Sequence, residues 1–214
     1  RAADIHPLLV HGPYIINLAS PIPRTWDFSV ALYQEEYERC ARLRAQYLVT
    51  HVGSHRGEGE AAGIARVAEA LNRTLAGCHA EVMILLENTA GAGQGLGYQF
   101  EQLQAIREGV TQPERVGLCL DTAHLFAAGF SIHTRTGLER MWEQFDRVIG
   151  GAHLKAVHLN DSKSAFNSHV DRHWHIGDGQ IGLEAMRRIV NHPRLASVPF
   201  ILETPKKTPD DDPR

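Results

Sequence analysis

Six short runs of apolar residues recur along the chain, and between them lie stretches in which apolar side chains return every three or four positions. The runs are rich in Val, Ile and Leu and do not alternate with polar residues, which is typical of strands buried on both faces of a parallel sheet. We therefore predict six strands, at residues 7–11, 47–51, 82–87, 116–121, 154–159 and 198–203.

The stretches between these strands each have one apolar face, which predicts helices that pack on the sheet. Three of the faces are formed by Val30, Tyr33, Tyr37 and Cys40, by Ile64, Val67, Leu71 and Leu75, and by Leu138, Met141, Phe145 and Val148. Shorter helical patterns lie at residues 100–106 and 183–190. This alternation indicates an α/β protein of the (β/α)8 TIM-barrel type with about six βα units, and therefore an incomplete barrel. A doubly wound open sheet is the alternative, because six parallel strands suit it as well.

The composition is that of an ordinary globular domain. The chain has 214 residues, of which 43% are hydrophobic and 22% are charged. We expect one domain at residues 1–205 and a polar tail at 206–214. No apolar stretch approaches the roughly 18 residues that a membrane helix needs, and we expect a cytoplasmic monomer that does not enter a membrane. Three widely separated cysteines favour neither a disulfide framework nor a sulfur-based zinc site.

The formal net charge of -3 argues mildly against a nucleic-acid partner, since phosphate binders are usually basic on the contacting face. Bound metal ions would add positive charge that this count omits. Within the polar segment at residues 158–182, Lys163 and Arg172 either meet an anionic substrate or are solvated loop charges.

Each predicted strand has, at or next to its end, a residue whose side chain can bind a metal ion. The strands of a parallel sheet point the same way, so their ends meet at one rim, where the active sites of βα barrels lie. The six residues are His11, His51, Glu87, Asp121, His158 and Glu203. Because zinc accepts imidazole nitrogen and carboxylate oxygen, they predict a metal site at this rim.

Two local patterns add further candidate ligands. His124 follows Asp121 by three residues, so a helical turn that starts there would direct both side chains to one pocket. Alternatively, Asp121 caps that helix and His124 is an ordinary first-turn residue. Asp171 and His173 are separated by one residue, so in an extended segment their side chains lie on the same side of the chain.

The stretch LLENTAGAGQGLGYQF, at residues 85–100, has four glycines at alternate positions after a predicted strand. The spacing matches neither GxGxxG nor the Walker pattern, because Leu96 stands where a third glycine would be needed and no GK[ST] follows. We interpret the stretch as a loop that allows close backbone approach beneath the site, with a phosphate-cradling loop as the alternative.

Seven motifs in this order, HGPY, HVGSH, LLENTAGAGQGLG, LCLDTAH, HLND, VDRHWHIGDGQIG and FILET, resemble the endonuclease IV family of DNA-repair enzymes. The resemblance runs from about His6 to Pro205. It implies a (β/α)8 barrel with three zinc ions and an activity that cuts double-stranded DNA at apurinic or apyrimidinic sites. The family's first two strands and its final helix have no counterpart here, in agreement with the six predicted units.

The resemblance also implies a role for each candidate residue. The implied ligands are His11, His51 and Glu87 for the first zinc, with Glu87 bridging to the second, Asp121, His158 and Glu203 for the second, and His124, Asp171 and His173 for the third. With Glu87 as the catalytic residue, a hydroxide between two zincs would cut the phosphodiester 5′ to the lesion, leaving a 3′-hydroxyl and a 5′-deoxyribose phosphate.

The resemblance further implies that Tyr14 enters the DNA near the lesion. We expect the adjacent Ile15 to assist as an apolar wedge, and Lys163 and Arg172 to be further DNA contacts. For Tyr14 the alternative is a side chain packed beneath its own loop.

Two other functions fit part of the pattern. A sugar isomerase or epimerase of the xylose-isomerase-like class would use the carboxylate-rich set formed by the ends of strands three to six, but it leaves the other five ligand-type residues without a role. The second alternative is a relative that binds zinc or DNA without cutting, because open barrel edges would expose unpaired backbone and apolar surface.

Overall fold

A computed structural model describes residues 6–78 and 81–206 of the chain. Within them, six strands form one parallel sheet in the order β1-β2-β3-β4-β5-β8, and β6 and β7 form a separate antiparallel ribbon. The strands are β1 (Leu9–His11), β2 (Tyr47–Thr50), β3 (Met83–Glu87), β4 (Val116–Asp121), β5 (Leu154–His158), β6 (Asp161–Ser162), β7 (His173–Trp174) and β8 (Phe200–Ile201). The six predicted strands are confirmed, most of them slightly shorter than predicted.

Helices cover the outer face of the sheet, and their buried faces are the predicted ones. The α-helices of the described residues are α1 (Pro23–Leu43), α2 (Glu60–Gly77), α3 (Phe100–Glu108), α4 (Thr122–Ala127), α5 (Arg135–Val148) and α6 (Leu183–Val190). Short 3₁₀ helices lie at Pro113–Arg115, Gly151–His153 and Pro193–Leu195. In α5, for example, Leu138, Met141 and Phe145 are buried at spacings of three and four residues, which gives one apolar stripe.

The sheet curls into part of a barrel, and its strands follow the chain order from one edge to the other. A doubly wound sheet requires a point at which the strand order reverses. The described sheet has no such reversal, so that alternative is wrong and the incomplete (β/α)8 barrel is confirmed.

The hydrophobic core has two layers on the two faces of the sheet. The larger layer lies between the sheet and the helices, and the smaller lies inside the curl of the barrel. The fully buried members of the inner layer are Val49, Leu85, Cys119 and Ala156, one from each of four neighbouring strands. Side chains alternate between the faces of a strand, so the residue two positions further along each of these strands also faces the inside.

Among the described residues, no helix combines the length and the apolar character needed to cross a membrane. The three cysteines are free thiols, and Cys40 and Cys119 are buried. The predicted polar tail lies, apart from Lys206, outside the described residues.

Candidate metal centre

Alternation along the strands brings the predicted ligands to one place at the carboxyl edge of the sheet. Five of the six strand-end ligands lie two positions after a residue of the inner layer, as Glu87 does after Leu85 and Asp121 does after Cys119. We call these six residues the strand-end group: His11, His51, Glu87, Asp121, His158 and Glu203. The inner core layer therefore lies directly beneath these side chains.

Glu87 lies at the centre of the strand-end group. Its Oε2 atom is 2.9 Å from His11 Nε2 and 3.0 Å from His51 Nε2, whereas its Oε1 atom is 2.8 Å from His158 Nδ1. Burial of this fully enclosed carboxyl would raise its pKa, but hydrogen bonds from His11, His158 and His51 hold the pKa of Glu87 well below its usual range. The two oxygens of Glu87 thus face two different sets of imidazoles.

The second part of the strand-end group is arranged around His158. Its Nδ1 atom is also 3.1 Å from Glu203 Oε2. Burial disfavours the imidazolium, but hydrogen bonds to the Cys119 thiol and to the carboxylates of Glu203 and Glu87 raise the pKa of His158 far above its usual value. The same bond from His158 lowers the pKa of Glu203 despite its burial.

His124 and the loop pair, which we define as Asp171 and His173, complete the cluster. Asp171 Oδ2 lies 3.1 Å from His124 Nε2, and Asp171 Oδ1 lies 3.4 Å from His173 Nε2. His173 Nε2 is 3.5 Å from Asp121 Oδ2, which joins the loop pair to the strand-end group. Burial opposes ionisation of Asp171, but its hydrogen bond to His124 lowers the pKa of this carboxyl. The structure therefore brings all nine predicted residues together.

Asp121 serves as a helix cap and also faces the cluster. Its Oδ1 atom accepts a hydrogen bond of 2.8 Å from the backbone N–H of His124, at the start of α4. Its Oδ2 atom points to His173. The two interpretations of this motif in the sequence are compatible, because the helix cap uses one carboxylate oxygen while the other faces the cluster.

The donor set fits divalent zinc. His11 and His124 each donate an Nδ1–H to a backbone carbonyl, of Gly12 and Asn88 respectively, at 2.8 Å. These bonds fix the tautomer and leave Nε2 for the cluster, as is usual for metal-bound histidine. Among the described residues, four sets of side chains have nitrogen and oxygen ligand atoms within 4.8 Å of one another, and one of them is Glu87, Asp121, His158 and Glu203. Imidazole nitrogen and carboxylate oxygen are the ligands that zinc accepts.

Asn88 and Asn160 support the cluster, although sequence reasoning missed them. The Asn160 amide donates hydrogen bonds to Asp121 Oδ2 at 2.6 Å and to Glu203 Oε2 at 3.3 Å. Asn88 pairs with the backbone of Asp121 through both atoms of its amide group. Asn88 directly follows β3 and Asn160 lies just beyond β5, so a polar side chain in that position was the available signal.

The glycine-rich loop after β3 approaches its neighbours closely, as its sequence predicts. Gly91 has a φ of +76°, and a Cβ atom there would lie 2.8 Å from His169 Nδ1 and 2.8 Å from the ring of Tyr98. A Cβ on Gly97 would lie 3.3 Å from the carbonyl oxygen of Glu87. Only glycine fits these positions without displacing the loop that carries the loop pair or the strand that carries Glu87.

The predicted DNA-contacting residues lie on the rim around the cluster. Tyr14 and Ile15 follow β1 and are 91% and 65% exposed, so the alternative that Tyr14 packs beneath its loop is wrong. Arg172 is exposed next to the loop pair, and Lys163 Nζ lies 4.3 Å from the centre of the Trp174 ring. No described contact tests whether these four side chains bind DNA, which stays a prediction.

Comparison with known proteins identifies the family. The whole chain, residues 1–214, matches a family model described as a xylose isomerase-like TIM barrel. It is 51% identical over 207 residues to a probable endonuclease 4 of Chloroflexus aurantiacus, covering 96% of this chain and 73% of that protein. The crystal structure of endonuclease IV from Thermus thermophilus superposes with a TM-score of 0.81 at 35% identity, covering 94% of this chain and 70% of that one. The chain belongs to the endonuclease IV family.

Structures of sugar epimerases share the fold of this endonuclease IV family member. A D-tagatose 3-epimerase-like protein has a TM-score of 0.67 over 91% of this chain and 69% of its own, at 19% identity. Identity this low shows the fold alone. The clustering of all nine ligand-type residues, five more than the epimerase alternative uses, agrees with the endonuclease IV assignment.

Proposed function

We propose that this protein is a zinc-dependent endonuclease that repairs DNA in the cytoplasm as a monomer. It hydrolyses the phosphodiester 5′ to apurinic or apyrimidinic sites in double-stranded DNA, leaving a 3′-hydroxyl and a 5′-deoxyribose phosphate. The observation that carries the proposal is the convergence of nine histidine, aspartate and glutamate side chains in one cluster at the carboxyl edge of the barrel. Membership of the endonuclease IV family supports this choice of reaction.

The ligand sets that we propose are those implied by the resemblance to the endonuclease IV family, and the close contacts within the cluster support them. They are His11, His51 and Glu87; Glu87, Asp121, His158 and Glu203; and His124, Asp171 and His173. When bound, three zinc ions supply Lewis acidity toward phosphodiester oxygens, lower the pKa of coordinated water and give the site a net positive charge. Glu87 holds the first two sets together, because its two oxygens face different histidines.

The side chains around the cluster would bind and position the substrate. Tyr14 and Ile15 present exposed apolar surface above the strand ends, which suits insertion between bases near a lesion. Lys163 and Arg172 carry positive charge on the loop beside the cluster and would contact DNA phosphates. The inner core layer beneath the ligands excludes water from that side of the site.

Two measurements on the purified protein test this proposal. Elemental analysis should give close to three zinc ions per chain. A labelled duplex with a single abasic site should be cut once, 5′ to the lesion, and a DNA polymerase should extend the new 3′ end. The matched duplex without the lesion should stay intact. Zinc or DNA binding without cutting would instead support the non-cutting relative, and a single metal without nicking would contradict the proposal.

A further inference from the structure

Asp161 is a buried carboxylate that belongs to none of the ligand sets. It lies in β6, three residues after His158, and is 0% exposed. No described ion pair involves it. A charged carboxyl group that is removed from water must be stabilised by hydrogen bonds or opposite charge. Its partners therefore indicate what it does.

Four backbone N–H groups donate to the two oxygens of Asp161. Oδ1 accepts from Ser162 at 2.8 Å and from Ile181 at 2.9 Å, and Oδ2 accepts from Gly177 at 3.0 Å and from Gly182 at 3.2 Å. Each oxygen thus receives two donors. Three of these donors lie 16 to 21 residues further along the chain, so the carboxylate ties the start of a long loop to its end.

The loop that Asp161 closes carries the loop pair. It leaves β6, returns through β7, which contains His173, and reaches Gly182, the residue that precedes α6. The ribbon between β6 and β7 has two residue pairs, Asp161 with Trp174 and Ser162 with His173. A ribbon this short is only marginally stable by itself. The side chain of Asp161 supplies hydrogen bonds beyond those of the two residue pairs.

We propose that Asp161 is a positioning residue that holds the loop pair in place for the third metal ion. This inference rests on the proposed function, since the third ligand set is part of it. The strand-end group is carried by the strands of the sheet and the residues that directly follow them, not by this loop. Loss of the Asp161 carboxylate should therefore remove one of the three metal ions and leave the other two.

Asp161→Asn is the direct test, because it keeps the shape of the side chain. In either orientation of the amide, its NH2 group faces two backbone N–H donors. Two hydrogen bonds are therefore lost, and donor groups are placed against each other.

Gly179→Ala tests the same role without changing Asp161. A Cβ atom at Gly179 would lie 2.4 Å from Asp161 Oδ1 and 2.6 Å from the carbonyl oxygen of Ser162, so the carboxylate must move. Asp178→Asn, an exposed carboxylate of the same loop, is the matched control.

The first readout is backbone hydrogen exchange in the metal-free protein, which does not depend on activity or on zinc. In Asp161→Asn and Gly179→Ala, exchange of the Gly177, Ile181 and Gly182 amides should accelerate at least about tenfold. The Met186 amide, which donates to the carbonyl of Gly182 inside α6, should keep its protection. Unchanged exchange at all three amides in both variants would overturn the inference.

The second readout is the zinc-to-protein ratio after loading and desalting. We expect three per chain in the wild type and in Asp178→Asn, and two in Asp161→Asn and Gly179→Ala. Three zincs in both loop variants, or loss of all zinc from variants that remain folded, would overturn the positioning role. If Asp161→Asn does not fold, Gly179→Ala decides. A wild type that binds fewer than three zincs would contradict the proposed function instead, and the exchange experiment would still test Asp161.

Discussion

The strand-end group and the loop pair reach the same cluster by different means. Strand-end residues are held by neighbouring strands, and the register places Asp121 directly beside His158. The loop pair lies on a segment whose β6–β7 ribbon has only two residue pairs, and the Asp171 side chain is 45% exposed. The sheet backbone therefore positions one part of the site, whereas side-chain hydrogen bonds position the other. This difference predicts that changes in the two regions have separable effects.

Glu87→Gln should have the largest effect, because it acts where two ligand sets of the strand-end group meet. The amide cannot serve as an anionic bridge, and its NH2 group would face histidine nitrogen atoms at about 3 Å. The rate of cleavage of the abasic duplex should fall by more than about 100-fold. That is the largest loss expected when a residue that only hydrogen-bonds to a metal ligand is changed. Glu108→Gln, an exposed glutamate at the end of α3, is the control. Activity within about tenfold of the wild type would contradict the bridging role.

Asn160→Ala tests whether the strand-end group also depends on side-chain support. The variant removes the amide that donates to Asp121 Oδ2 and Glu203 Oε2. Zinc affinity should decrease about 10- to 100-fold, as is typical when an outer-shell partner of a ligand is lost. Competition with a chelator measures the change, and Asn191→Ala, at the end of α6, is the control. Equal affinities in the two variants would mean that the sheet alone positions these carboxylates.

Tyr14→Ala should separate DNA binding from metal binding. Tyr14 is 91% exposed on the rim and is in none of the ligand sets. Affinity for the abasic duplex should fall roughly 5- to 20-fold, within the range for loss of one aromatic stacking contact, while the zinc content stays at the wild-type value. Fluorescence anisotropy checks the affinity, and Phe28→Ala, an exposed aromatic on α1, is the control. Loss of zinc from Tyr14→Ala would show that the rim and the cluster are not independent.

The smallest expected effect is the pH dependence of stability in the metal-free protein. Burial disfavours the imidazolium of His124, but Asp121 and the hydrogen bond to Asp171 raise its pKa to about 10. The folded protein therefore holds this proton more tightly than the unfolded chain, whose histidine pKa is about 6.5. The stabilisation is complete below about pH 6.5 and is lost as the pH rises toward 10.

The melting temperature of the metal-free protein should accordingly fall by a few degrees between pH 7 and pH 9. The melting temperature of His124→Asn should fall less over this pH range than that of the wild type. The control His175→Asn should show the same fall as the wild type. Zinc should flatten it, because the metal takes the place of the proton. An equal slope in His124→Asn and the wild type would contradict the charge pairing between α4 and the loop pair.

The two regions also differ in how far the sequence predicts them. The strand-end group could be predicted because apolar runs mark the buried strands and each run has a ligand-type residue at or next to its end, as 82–87 has Glu87. Local spacing made His124 and the loop pair candidates, and the resemblance to the endonuclease IV family implied that they are ligands. The support of the loop pair could not be predicted, since a ribbon of two pairs has no periodicity and the donors to Asp161 lie up to 21 residues away.

The most direct test of the account is a crystal structure of the zinc-loaded protein with anomalous diffraction at the zinc edge. We predict three peaks, two bound by the strand-end group with Glu87 touching both, and a third bound by His124 and the loop pair. A single peak, or a third peak without contact to Asp171 or His173, would contradict the division of the cluster into a part held by strands and a part held by the loop.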